Sequence, residues 1–88
     1  MKNMSSNRDL YEYISSFSSV LKLRGLKEMS DILDVAIGHA SSSSTEFLGE
    51  SRIALRRILN EENGALTGEE RAAMVTVLEQ IDKAFNRR

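Results

Sequence analysis

The chain has 88 residues, the size of one domain. Hydrophobic residues make up 41% and charged residues 28%, a globular composition, and 12 basic against 13 acidic side chains leave a net charge of −1 without the basic excess of a nucleic-acid binder. The absence of cysteine and the single histidine exclude disulfides, thiolate metal centres and any site built from several imidazoles within one chain.

Residues 1–7 read as a flexible N-terminal tail and residues 8–88 as a single helical domain. Ser5, Ser6 or Asn7 can cap a first helix over Arg8–Arg24. Its stripe is Leu10, Ile14, Phe17 and Leu21, with Tyr13 and Val20 beside it, and one of Tyr11 and Tyr13 is expected at the core edge. Ser15, Ser16, Ser18 and Ser19 form either a polar outer face or a place where another helix comes close. Gly25 stands where a left-handed residue ends a helix, followed by apolar Leu26. A second helix, Leu26–His39, carries Leu26, Met29, Leu33, Ala36 or Ile37, and Ala40 on one stripe. The join is a tight corner; a continuous bent helix is the alternative.

Ser41–Ser44 is a flexible connection, and Ser43 with Glu46 has the spacing of a capping box for a third helix over Ser44–Glu62. The expected stripe of that helix is Leu48, Leu55 and Leu59, widened by Phe47, Ile58 and Ile53; Asn63-Gly64 ends it. Thr67 and Glu70 form a second capping box before a helix over Gly68–Phe85, with Met74, Leu78, Ile81 and Phe85 inward and Val75 and Val77 at the flanks. Arg87 and Arg88 suit the negative pole at its end. The expected fold is therefore all-α, a compact four-helix bundle made of two helical hairpins. A chain this short supports a single core only marginally, which favours a partner or self-association.

No catalytic constellation emerges. Ala36 stands three residues before His39, so the Glu-x-x-His pairs of di-iron bundles are missing, and His39 reads as a helix-end residue at a negative pole. The five glycines are isolated, so no phosphate loop occurs. No cofactor, metal site or catalytic residue is expected, and the chain reads as a non-enzyme. No apolar run approaches the roughly 20 residues of a spanning helix, and no secretion signal is evident. A cytoplasmic protein without a membrane partner is expected.

The segment Thr45–Leu59 has a superficial helix-turn-helix look, with Gly49 in the turn and Arg52, Arg56 and Arg57 beyond it. Glu46 and Glu50 would face phosphates beside those arginines, and the net charge is not positive, so one continuous helix with a tolerated Gly49 is the simpler reading. Two charged features remain as candidate partner-binding residues. Glu28, Asp31 and Asp34 recur every three residues as an acidic ridge, and Arg52 and Arg56 share a face that needs an acid opposite. Arg57 can pair with Glu61.

Three stretches carry a resemblance: Leu33-Asp34-Val35-Ala36-Ile37, the Ser44-Thr45-Glu46 helix start, and Ala54-Leu55-Arg56-Arg57-Ile58-Leu59. Across Leu26–Leu59 the chain resembles small helical bacterial proteins of immunity or antitoxin type. The resemblance implies a protein without catalysis of its own, which binds a toxin domain and blocks its active site or substrate groove. A DNA-binding regulator using the arginines of the third helix and a self-associating adaptor are the alternatives.

Overall fold

The computed structural model describes residues 7–61 and 63–86. Within them the chain forms α1 (Asn7–Leu23), α2 (Lys27–Ile37), α3 (Ser44–Glu61) and α4 (Gly68–Asn86), with a 3₁₀ turn at Asn63–Ala65. The fold is an all-α four-helix bundle with no strand among the described residues. Residues 1–6 of the expected tail, Glu62, Arg87 and Arg88 lie outside the described residues.

The α1–α2 corner follows from Gly25, whose φ of 78° is the left-handed conformation that a side chain resists. Two hydrogen bonds close it: Leu26 N–H donates to Leu21 C=O at 2.9 Å, and Gly25 N–H to Lys22 C=O at 3.1 Å. These are the paired bonds of a Schellman motif, so α1 and α2 are separate helices rather than one bent helix. The reversal lays α2 along α1 and buries Leu10, Ile14, Phe17 and Leu21 against Met29, Leu33 and Ala36. Each large side chain removed from water contributes roughly 1.5–3 kcal/mol. Leu26 and Ile37 are half-buried, whereas Ala40, expected on the same stripe, is exposed because α2 has already ended.

A polar chain crosses this interface. The Ser18 hydroxyl donates to Asp34 Oδ1 at 2.7 Å, the short distance of a bond to a charged acceptor. Ser18 has only that one proton, so at the 2.8 Å contact between the two hydroxyls it is Ser30 that donates. Ser18 and Ser30 are both buried, which makes Ser18 the serine of α1 where another helix comes close. Slipping α2 along α1 would strand buried hydroxyls, so the network fixes register as well as contributing binding energy.

Helix α3 packs against α1, α2 and α4. Its buried face is Phe47, Ser51, Ala54, Leu55 and Ile58. Leu48 and Leu59, expected at its centre, are half-buried, and Ile53 is exposed. A helix with three neighbours buries a wide arc, and the small Ser51 and Ala54 let neighbouring backbones approach. The Ser51 hydroxyl is buried without a hydrogen-bond partner among the described residues. Gly49 lies inside the continuous α3, not in a turn, and a Cβ there would meet Phe85 Cζ at an ordinary 3.9 Å. In α4, Met74, Val77, Leu78 and Ile81 are buried while Val75 is exposed, so Val77 belongs to the core rather than its flank.

The Thr67–Glu70 capping box forms in full, and at Ser43–Glu46 the bond from the helix N–H to the cap hydroxyl forms. Glu46 N–H donates to Ser43 Oγ at 3.0 Å. Glu70 N–H donates to Thr67 Oγ1 at 3.1 Å, and Thr67 N–H returns a bond to Glu70 Oε1 at 2.9 Å. The same carboxylate receives Arg24 from the end of α1, with Nη1 at 3.0 Å from both oxygens, and Arg24 Nη2 also donates to Ala65 C=O at 3.1 Å. This clamp holds the second hairpin on the first. Tyr13 is the core-edge tyrosine, half-buried with its ring centroid 5.8 Å from that of Phe17, whereas Tyr11 is exposed.

Two predictions follow from this packing. Gly49→Ala and Ser51→Ala are each expected to stabilise the chain by about 1 kcal/mol, through helix propensity and removal of an unpaired hydroxyl, whereas Gly25→Ala destabilises it by about 1–2 kcal/mol. Urea unfolding of the three variants measures this. Burial, aided by the Glu70 charge, pushes the Tyr13 phenol up to about 12 from its ordinary 10.0. The folded chain thus holds this proton where the unfolded chain loses it, so stability falls as pH rises from about 10 towards 12. Tyr13→Phe should flatten that fall in unfolding experiments across the alkaline range.

Candidate protein-binding surface

The five candidate partner-binding residues do not form one surface. Positions three apart step about 60° around a helix, so Glu28, Asp31 and Asp34 spread over a wide arc of α2. Asp34 faces α1, where it holds Ser18 and lies 3.6 Å from Lys22 Nζ. Glu28 is exposed in the first turn of α2, a favourable place for an acid at a helix start. Asp31 lies on the side of α2 that meets α3.

Arg52 and Arg56 do share a face, and the acid opposite them is Asp82 of α4. Arg52 Nη1 lies 3.2 Å from Asp82 Oδ1 and Arg56 Nη2 3.4 Å from Oδ2. The Arg52 guanidinium also stacks over the Phe85 ring, 4.5 Å from its centroid. One carboxylate thus bridges the two cations and ties α3 to α4. Partly exposed pairs of this kind stabilise by at most about 1 kcal/mol each. Arg57 pairs with Glu61 one turn along, at 3.5 Å.

A different surface emerges between α2 and α3. The helices run antiparallel here, so that Val35 and Ala36 lie across from Ile53 and Ala54, and Ile32 across from Arg57, around one open groove of about 290 Å³. Its floor is the buried pair Ala36 and Ala54, whose methyl groups leave the crease between the helices unfilled. Its apolar walls are left open to water: Val35 is 62% exposed and Ile53 60%. Asp31 and Glu50 stand on the rim, one from each helix, together with Arg57. His39, in the turn after α2, lies at the Glu50 end, with Nε2 3.9 Å from Glu50 Oε1 and Nδ1 4.0 Å from Glu46 Oε2. At these distances the imidazole lies near both carboxylates without forming hydrogen bonds.

Two exposed aliphatic side chains across one concavity differ from single exposed residues, which are ordinary on any surface. Leu23 is more exposed still, at 89%, but stands on the last turn of α1, outside the groove. Among the described residues no group of three or more metal-capable side chains occurs, and no helix is long and apolar enough to cross a membrane. Comparison with family models, with curated proteins and with solved structures finds no match in any of the three.

Sequence reasoning reached Asp31 but missed Val35, Ile53 and Glu50 as a set. The available signal was an apolar residue lying off the core stripe in each of two consecutive helices. Because Val35 and Ile53 contribute little to the core, the double substitution Val35→Ser, Ile53→Ser is expected to change stability by no more than about 1 kcal/mol. Thermal unfolding followed by circular dichroism checks this, and a collapse of helicity would place the two side chains in the core instead.

Proposed function

We propose that this chain is a non-catalytic protein-binding module, and that it works as an immunity- or antitoxin-type inhibitor covering the working surface of a bacterial toxin domain. The supporting observation is the α2–α3 groove, where Val35 and Ile53 stay in water beside a well-buried core and carboxylates rim the opening. Keeping aliphatic surface in water is unfavourable, and a partner that covers it recovers that free energy. The arginines of α3 lend less to a DNA-binding role, since Arg52 and Arg56 are both engaged by Asp82.

The test compares tagged wild-type chain with the Val35→Ser, Ile53→Ser double variant as baits in extracts of the host. The expected result is a stoichiometric protein partner that the variant fails to hold, with a toxic activity that stops when the wild-type chain is bound. Equal capture by both baits, or recovery of duplex DNA alone, would overturn the proposal.

A further inference from the structure

Resting on the protein-binding reading, we infer that the α2–α3 groove receives a basic amphipathic helix of the partner, with two aliphatic side chains between Val35 and Ile53 and cationic residues against Asp31 and Glu50. Three features define this occupant. The first is size. At about 290 Å³ the groove lies just below the range of pockets that enclose small molecules, yet it accommodates side chains inserted from an opposing surface.

The second is the backbone. Both walls are helices whose peptide groups are paired within the helix, so the surface offers no strand edge for an extended peptide to pair with. Recognition must run through side chains, and an amphipathic helix delivers aliphatic groups at spacings of three and four residues to such a crease. The third is charge. Asp31 and Glu50 line the groove from different helices, Asp31 towards its Arg57 end and Glu50 towards its His39 end, and Arg57 is drawn to Glu61 at 3.5 Å. Glu46 adds a further carboxylate beside His39. The groove surroundings are thus predominantly anionic, which favours lysine or arginine on the incoming helix and speeds association. The same charge disfavours a second copy, because pairing two such grooves would bring Asp31 and Glu50 of both copies together.

The probe is a fluorescein-labelled helical peptide of leucine and lysine, with leucines at i, i+3, i+4 and i+7. Its counterpart carries glutamate in place of every lysine. Fluorescence anisotropy with the full chain is expected to show binding of the lysine peptide that weakens with salt. The Val35→Ser, Ile53→Ser variant should bind it about tenfold more weakly or worse, from lost apolar burial. Asp31→Asn with Glu50→Gln should also weaken binding and flatten the salt dependence. Equal binding of the lysine peptide by the wild-type chain and the serine variant would overturn the inference, since attraction would then be to net charge alone. Groove-dependent binding of the glutamate peptide, or a dimer in sedimentation that the serine variant loses, would overturn the basic helix while leaving the groove as a binding surface. Binding of neither peptide would overturn the inference; the host-extract comparison decides separately whether the protein-binding reading survives.

Discussion

The architecture depends on the reversal at Gly25. With φ at 78°, and with Leu26 N–H bonded back to Leu21 C=O, α1 must stop and α2 must fold back beside it. If the chain continued straight, Ser18 could not reach Ser30, Leu21 and Leu33 could not share a core, and α2 would not be available to α3. The groove between α2 and α3 is in this sense a product of a backbone conformation well away from it. The Arg24–Glu70 clamp works from the same corner, because the residue just before Gly25 carries the guanidinium that holds the start of α4.

Charge on this surface is used in two ways. Where opposite charges meet across helices, they close the bundle: Arg52 and Arg56 on Asp82, Lys22 on Asp34, Arg24 on Glu70. Along the α2–α3 groove the balance differs. Asp31 and Glu50 stand beside exposed aliphatic groups, and the nearest arginine is engaged by Glu61. Glu50 lies near His39, yet the position of both carboxylates beside Val35 and Ile53 also suits contact with a cationic, apolar surface outside the chain.

Much of the fold was legible in the sequence because local signals agreed with one another. The stripe of α1, Gly25 followed by Leu26, and the Thr67–Glu70 box each name a helix or its end through short-range chemistry, and each is present. The buried face of α3 was less legible. Ser51 and Ala54 carry no hydrophobic signal, yet the three neighbours of α3 bury them, while Ile53 carries a strong signal and stays in water. The candidate site was hardly legible at all. The acidic trio looked continuous in sequence but diverges around the helix, and Asp34 serves the interior of the first hairpin. Val35 and Ile53 belong to different helices, and only the tertiary register brings them across one groove.

The central claim, that this groove rather than another exposed apolar site binds protein, is tested most directly by methyl NMR of the chain titrated with the leucine–lysine peptide. Leu23, Val20 and Val75 are exposed on α1 and α4 and act as internal controls. The methyl signals of Ile53 and Val35 are expected to move first and furthest, with Ile32 and Ala36 following and the three controls unmoved. Shifts concentrated on Leu23, Val20 or Val75, with Val35 and Ile53 unmoved, would contradict it.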